Sequence, residues 1–246
     1  MVDNPLLLKG ANAVIAGGGA IGTAFANQLS ARSKVGQVVV LARRAPQGLD
    51  ARVQVVPLEA TDPASVAAAA EACSGLGRVH LLINTVGLLH ASGVKPEKRL
   101  KDIQAEAFQQ AMAVNALFLT LLAEAFSRAL RHGQAAMLAS LSARVGSIAD
   151  NGLGGWYSYR ASKAAQNMLL RTLSREWRVS HRNVTVVALH PGTVDSALSR
   201  PYIGPAYGKR VLSPDEAASH LLQVMRGLSP ADSGSFFDWR GEPIPW

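Results

Sequence analysis

The chain of 246 residues is 48% hydrophobic, which supplies a sizeable core and predicts a single α/β domain over residues 1–246. Its one cysteine, Cys73, excludes an internal disulfide framework, and no metal site is indicated. No apolar run approaches the length of a membrane span, and residues 1–10 lack the pattern of a signal peptide. We therefore expect a cytoplasmic protein without membrane association.

The formal net charge of +8 raises the question of nucleic-acid binding. The basic residues are scattered, and the tight clusters at Arg43-Arg44 and at 98–101 carry no interleaved aromatic residues for base stacking. We therefore expect no nucleic-acid partner. A basic surface also suits a polyanionic small molecule.

A glycine-rich turn lies between the first predicted strand, 11–16, and a predicted helix at 23–32. Its pattern is G-x-G-x-x-G in the strand–turn–helix context that binds dinucleotides. The first glycine allows the tight turn, the second lets a pyrophosphate approach the backbone, and the third permits close helix–strand packing, while the helix N-terminus offers N–H groups to phosphate. The predicted cofactor-binding residues of this turn are Gly17, Gly19, Ala20, Ile21 and Gly22.

The second predicted strand, 37–41, leads into Arg43 and Arg44. A site that selects NAD usually carries an acidic residue about twenty residues past the glycines, where it binds the ribose 2′-hydroxyl. Arginines stand here instead, and a guanidinium can fork onto a 2′-phosphate. We predict that NADP(H) is preferred, with NAD(H) as the alternative cofactor; the competing explanation is a pair of solvated loop arginines.

Two more strands are predicted at 53–58 and 79–83, with a helix at 63–72 between them. Asp62 is a typical N-cap for that helix, because a proline follows it at the first helical position. The fourth strand runs into Asn84-Thr85-Val86-Gly87, at the edge where open α/β sheets bind ligands.

A long helix is predicted at 103–131, and its apolar part is interrupted once, by Asn115. A buried asparagine inside a helix costs stability unless its amide finds partners. Asn115 is therefore either a satisfied core residue or part of a water or proton relay.

Tyr159 and Lys163 come after a fifth predicted strand at 135–139 and lie four residues apart, on one face of a predicted helix that ends near residue 179. A lysine ammonium close to a phenol favours the phenolate and lowers the phenol pKa from about 10, which makes a general acid/base. Tyr157 has Ala161 at the same offset and gains no such partner. Standing alone, the pair is more often incidental to an amphipathic helix, so its interpretation depends on the rest of the site.

The sixth predicted strand, 183–189, is followed by His190-Pro191-Gly192-Thr193. Residues 196–210 show no periodicity and are predicted to form a mobile flap over the substrate. Ser213 and Glu216 form a capping box that starts a final helix. The alternation of strands and helices predicts a three-layer α/β/α fold of Rossmann type around a doubly wound parallel sheet.

Taken together, these motifs resemble the short-chain dehydrogenase/reductase family over essentially the whole chain. The shared features are the glycine turn, Asn84-Thr85-Val86-Gly87, Asn115, the serines after the fifth strand, Tyr159-x-x-x-Lys163 and Pro191-Gly192. Residues 145–148 and 154–163 are similar to the C-factor-like branch of that family.

The resemblance implies an NADP-dependent carbonyl reductase or alcohol dehydrogenase that acts on a small or medium-sized hydrophobic substrate. Tyr159 would exchange a proton with the carbonyl oxygen as hydride is transferred, and Lys163 would hold the nicotinamide ribose and depress the Tyr159 pKa. Asn115 would anchor a water relay behind Lys163. The residues expected at the carboxamide end of the nicotinamide are Pro191, Gly192 and Thr193.

Three departures from the family pattern stand out. The glycine turn is one residue shorter, and Glu59 stands where an adenine-binding aspartate is usual. Ala143 stands at the position of the catalytic serine. Its neighbour Ser142 is the predicted catalytic serine, and Ser140 is the alternative. These departures leave open a second hypothesis, a non-catalytic or weakly catalytic nucleotide-binding signalling protein of C-factor type.

The helix that carries Tyr159 has a small apolar face directed away from the catalytic pair, and this face can pack either on the sheet or on a second subunit. The resemblance implies a homodimer or homotetramer, because the family commonly associates through such helices. The residues of this face are Ala161, Ala164, Ala165, Met168 and Leu169. The candidate residues for a substrate pocket are Leu88, Leu89, His90, Trp156, Tyr157, Tyr202 and Ile203.

Overall fold

The computed structural model describes residues 4–91, 94–205 and 207–246. The strands are β1 Ala11–Ala16, β2 Val35–Ala42, β3 Gln54–Pro57, β4 Leu81–Asn84, β5 Ala136–Leu141, β6 Val184–His190, β7 Thr193–Val194, β8 Val211–Leu212 and β9 Ser235–Asp238. The helices are α1 Ala20–Ser30, α2 Pro63–Ala72, α3 Ala105–Met112, α4 Phe118–Leu130, α5 Tyr157–Ser180 and α6 Pro214–Gly227. Ala113–Leu117 forms a π-helical turn that joins α3 to α4.

Seven parallel strands form the central sheet in the order β3-β2-β1-β4-β5-β6-β9. The order reverses between β1 and β4, and ligands bind at such a switch point, beyond the carboxyl ends of the strands. The predicted doubly wound Rossmann-type fold is therefore confirmed.

Alternate residues of each buried strand pack on opposite faces of the sheet. On one face, residues such as Val14 and Leu82 join a core cluster with apolar residues of α2, α4 and α5. On the other face, Ile15 and Ile83 pack with residues of α1 and α6. These two cores make the three-layer α/β/α arrangement.

The continuous helical segment from Ala105 to Leu130 is long and apolar enough to cross a membrane by length and composition alone. This differs from the expectation that no segment approaches a span. Its large apolar side chains, among them Phe118, Leu122 and Phe126, are buried against the sheet in the first core cluster. Packing in the fold accounts for the apolar character of this helix.

Local sequence signals fix several element ends. Asp62 caps α2 through its side chain, which accepts a hydrogen bond from the Ala64 N–H. Ser213 and Glu216 form the predicted capping box of α6.

β5 extends two residues further than predicted, because Ser140 and Leu141 continue the pairing with β6. The predicted flap, 196–210, contains a 3₁₀ turn at Arg200–Tyr202. β7 and β8, which lie just outside its two ends, pair in parallel, and residue 206 lies outside the described residues.

Candidate active site

The glycine turn packs tightly against the loop that follows β4. Gly17 has a φ of +112°, and a Cβ there would lie 2.4 Å from Thr85 Oγ1. A Cβ on Gly22 would lie 2.0 Å from the carbonyl oxygen of Gly17. The first and third glycines of the motif are therefore required by the backbone conformation and by contact, as predicted.

The second glycine faces open space. Gly19 is the N-cap of α1 and makes no side-chain cap, and a Cβ added to it would meet no atom within 4 Å. The first N–H groups of a helix have no intrahelical partner, so Ala20, Ile21 and Gly22 offer donors beside that space. A cleft of about 300 Å³, lined by Gly18, Ala20 and Pro46 among others, adjoins the turn. These residues fit a pyrophosphate, which needs backbone donors and close approach.

Arg43 and Arg44 directly follow β2, at the cofactor edge of the sheet, and both are exposed. Neither forms an ion pair within the described part of the chain. Glu59 is also exposed, but its carboxylate accepts a hydrogen bond of 3.1 Å from the Thr61 hydroxyl. Glu59 thus holds its own turn, whereas the guanidinium groups of the two arginines form no ion pair with any residue that the structure describes.

Asn84 shapes the sheet edge from inside. It is buried; its amide donates to Ser140 Oγ over 3.0 Å, and its Oδ1 accepts from the Val86 N–H over 3.0 Å. Gly87 follows and is exposed. The predicted segment 84–87 therefore divides into a buried anchor, Asn84, and an accessible exit at Gly87.

Asn115 is 1% exposed and lies in the π-helical turn, a rare conformation that is frequent at functional sites. Its Oδ1 accepts from the Leu88 N–H over 2.7 Å, and its Nδ2 donates to the Leu88 carbonyl over 2.8 Å and to Ser162 Oγ over 2.9 Å. The Ser162 hydroxyl donates in turn to the Tyr159 carbonyl over 3.0 Å. Asn115 thus ties the loop after β4 to the helix of Tyr159.

Lys163 is 3% exposed, and its ammonium nitrogen donates to the Leu141 carbonyl over 3.0 Å and to Gln166 Oε1 over 2.8 Å. Burial lowers the pKa of Lys163 to about 7. A Cβ built on Gly87 would lie 3.6 Å from Lys163 Nζ and 3.7 Å from Asn115 Oδ1. Three predicted site residues from three separate elements therefore lie close together: Gly87, Asn115 and Lys163.

Tyr159 is half-buried on the same face of α5, with Lys163 Nζ 6.0 Å from its ring centroid. Burial raises the pKa of Tyr159 above the usual phenol value. The expected depression of this pKa by Lys163 is therefore wrong for this structure, because desolvation disfavours the phenolate. The phenol is protonated at neutral pH, which is the form that can donate a proton.

Neither predicted serine is free to meet a substrate in this arrangement. The Ser142 hydroxyl donates to Asn167 Oδ1 over 2.6 Å, and both side chains are buried. Ser140 Oγ accepts from Asn84 and, over 2.6 Å, from Gln166 Nε2. Ala143 begins the short 3₁₀ turn at Arg144–Gly146 and is half-buried. The serine hydroxyls therefore brace β5 against α5.

The turn after β6 is built around Gly192. Its φ is +77°, and a Cβ there would lie 2.8 Å from Trp239 Cδ1. The Thr193 hydroxyl is 2.5 Å from that of Tyr207, which belongs to the flap. Pro191, Gly192 and Thr193 are all half-buried. The flap is therefore tied to the segment expected at the nicotinamide.

Aromatic rings gather beside Tyr159. Trp156 lies edge-to-face with Tyr159 at 6.1 Å and with Tyr202 at 5.1 Å between ring centroids. His90 packs on Tyr202 at 5.8 Å. Of the pocket candidates, these residues are brought together, whereas the side chain of Tyr157 is exposed.

Sequence reasoning missed four residues of the site: Glu97, Gln166, Asn167 and Trp239. Gln166 and Asn167 lie three and four residues past Lys163, so helical spacing alone places them on its face. Two polar residues on the buried face of the helix are the signal by which they could have been found. Glu97 and Trp239 carry no such local signal, since tertiary contacts alone define their roles.

Comparisons with known proteins agree with this geometry. The short chain dehydrogenase family matches residues 11–203. The C-signal protein of Myxococcus xanthus is 34% identical over 170 residues, which make up 69% of this chain and 94% of that protein. The family match spans the glycine turn and all of α5.

Solved structures extend the similarity over nearly the whole chain. The NADPH-bound carbonyl reductase from chicken fatty liver has a TM-score of 0.84, at 29% identity and 99% coverage of both chains. A short-chain dehydrogenase/reductase from Burkholderia multivorans with bound NADP has a TM-score of 0.77, at 25% identity and with 96% of this chain and 99% of that chain covered. This chain is a Rossmann-fold oxidoreductase that belongs to the short-chain dehydrogenase family.

Proposed function

We propose that the protein is an NADP-dependent oxidoreductase that interconverts a carbonyl compound and the corresponding alcohol. The observation that carries the proposal is the meeting of Lys163, Asn115 and Gly87 beside Tyr159 at the carboxyl edge of the sheet. The cofactor cradle of the glycine turn opens at the same edge.

Bound NADPH supplies the hydride. Tyr159 donates its phenolic proton to the carbonyl oxygen, for which its protonated state is suited. Lys163 would hold the ribose of the nicotinamide half, and its pKa of about 7 allows it to exchange a proton at working pH. Asn115 holds the loop after β4 in place behind this pair.

The preference for NADP rests on Arg43 and Arg44. Both guanidinium groups are exposed, and both lie just past β2, where a 2′-phosphate would be received. A planar guanidinium binds phosphate through two parallel hydrogen bonds. The carbonyl reductase from chicken fatty liver, which resembles this chain, has NADPH bound.

The substrate is inferred to be a hydrophobic aldehyde or ketone of small or medium size. Trp156 and Tyr202 form a half-buried aromatic wall beside Tyr159. Such a wall favours apolar groups because their burial releases water.

Titration of the purified protein with NADPH and with NADH, followed by ligand fluorescence, tests the cofactor assignment. NADPH is expected to bind at least tenfold more tightly than NADH, and Arg43→Ala with Arg44→Ala is expected to remove the difference. Equal binding of both cofactors by the wild-type protein would contradict the preference.

A screen of aldehydes and ketones with Tyr159→Phe as the comparison tests the chemistry. We expect wild-type turnover, and a loss of about a hundredfold or more in Tyr159→Phe with NADPH binding retained, since proton transfer contributes 10²–10⁴-fold. If wild-type and variant bind NADPH and neither turns over any carbonyl, the nucleotide-binding signalling hypothesis takes precedence.

A further inference from the structure

The helix that carries Tyr159 begins without any cap of its own. Its N-cap residue is Trp156, whose side chain cannot accept a hydrogen bond from the first turn, and α5 has no acidic residue in its first turn. Trp156 has a φ of +53°, the one positive φ outside glycine among the described residues. A helix start of this kind leaves N–H donors unpaired and holds the backbone in an unfavourable region.

Glu97, on the loop between β4 and α3, supplies the missing cap of α5. Its carboxylate accepts hydrogen bonds from the Ser158 N–H over 3.2 Å and from the Ser158 hydroxyl. Its main-chain carbonyl accepts from the Trp156 N–H over 2.6 Å. Glu97 therefore caps α5 twice, at the residue with positive φ and at the second helical residue.

Glu97 is 4% exposed, which is unusual for a glutamate. It forms no ion pair within the described part of the chain. A buried carboxylate is tolerated only where donors and positive charge meet it, and here the N-terminus of α5 provides both. The fold thus keeps the buried carboxylate of Glu97, whose desolvation costs free energy, at the first turn of α5, directly before Tyr159.

We propose that Glu97 is a positioning residue for the reaction: it fixes the first turn of α5 and thereby the orientation of the Tyr159 phenol. Ser158, whose N–H and hydroxyl donate to the Glu97 carboxylate, immediately precedes Tyr159. Trp156 packs on the Tyr159 ring. The inference rests on the proposed function in its assignment of Tyr159 as the proton donor. It adds a role for a loop residue sixty-one positions before Ser158 in the chain.

The test uses Glu97→Ala and Glu97→Gln, with the exposed Glu71→Ala on α2 as control. Glu97→Ala is expected to lower kcat about tenfold or more, because small misplacements of a catalytic group are costly, and to change KM for NADPH by less than about twofold. Glu97→Gln is expected to recover most of kcat, because its amide oxygen accepts from the Ser158 N–H and its amide group donates to the Ser158 hydroxyl. Glu71→Ala is expected to match the wild type.

Hydrogen exchange of the amides at 156–160 gives a second measurement that does not depend on turnover. Faster exchange confined to this turn in Glu97→Ala supports the cap; unchanged exchange overturns it. If wild-type protein turns over no carbonyl compound, the proposed function fails, while the exchange result still decides whether Glu97 caps α5.

Three kinetic results would overturn the proposal: wild-type kcat in Glu97→Ala, no recovery in Glu97→Gln, or a loss explained wholly by weaker NADPH binding. If Glu97→Ala does not fold, Ser158→Ala takes its place. That variant removes the hydroxyl bond and keeps the N–H bond, so a loss of a few fold in kcat is expected, and wild-type kcat would count against the proposal.

Discussion

At the scale of single residues, the most informative position is Ala143. The family pattern has a serine there, and the neighbouring hydroxyls do not replace it: Ser142 donates to Asn167 and Ser140 accepts from two amides. In the proposed mechanism Tyr159 is the proton donor, and these two serines supply no free hydroxyl beside it. Such a site is expected to work below the rate that the fold can support.

This reasoning predicts that Ala143→Ser raises kcat about tenfold, since one added donor to a developing oxyanion is worth up to 10²–10³. Ala143 is half-buried at the start of a 3₁₀ turn, where an extended backbone accepts serine without strain. Steady-state kinetics on the best carbonyl substrate provide the measurement. Ser142→Ala is the comparison: a hundredfold loss there would show that Ser142 is the catalytic serine after all and would contradict this reading.

At the scale of elements, the glycine turn separates two roles that the motif pattern merges. Gly22 is needed for packing, because a Cβ would collide with the Gly17 carbonyl at 2.0 Å. Gly19 is not needed for packing, because its Cβ would enter open space. The space in front of Gly19 is the expected place of the pyrophosphate.

We therefore predict opposite results for two alanine variants of the same turn. Gly22→Ala is expected to lose about 1–3 kcal/mol of unfolding free energy, as overpacked sites do, with a lower Tm by calorimetry. Gly19→Ala is expected to keep the wild-type Tm and to bind NADPH at least tenfold more weakly in a fluorescence titration. Normal NADPH affinity in a folded Gly19→Ala would show that the pyrophosphate lies elsewhere.

Elements also differ in how far the sequence predicts them. β1 and α2 are set by local signals, such as the Asp62 cap of α2, and the predicted bounds of both elements hold to the residue. The sequence predicts a continuous helix through Asn115, whereas the structure has a π-helical turn there. The wider turn depends on the contacts of Asn115 with Leu88 and Ser162. Long-range contacts of this kind leave no periodic trace in the sequence.

At the scale of the whole molecule, the strand–helix alternation predicts the layers of the sheet, and the motifs predict which edge carries the site. Because these motifs lie at the same edge, the proximity of Tyr159, Lys163 and Asn115 is predictable from the sequence. The Glu97 cap and the contact of Trp239 with Gly192 do not, since each joins segments far apart in the chain. Motifs thus locate the reaction, while tertiary contacts hold its geometry.

Association is the remaining property at this scale, and α5 carries the face that we propose for it. Met168 is 66% exposed, with Ala161, Ala164, Ala165 and Leu169 half-buried around it. Small residues let a second helix approach closely, and an exposed methionine supplies adaptable apolar area. We predict that the protein is a homodimer or homotetramer in solution.

Light scattering at working concentration measures the mass directly. Met168→Glu places a charge in the middle of this apolar face, so the mass is expected to fall toward that of one chain, 25.9 kDa, while circular dichroism stays unchanged. Leu100→Glu is the matched control, because Leu100 is 71% exposed and lies outside α5. A wild-type mass of one chain would refute the prediction, and an equal loss of association in both variants would place the interface elsewhere than on this helix.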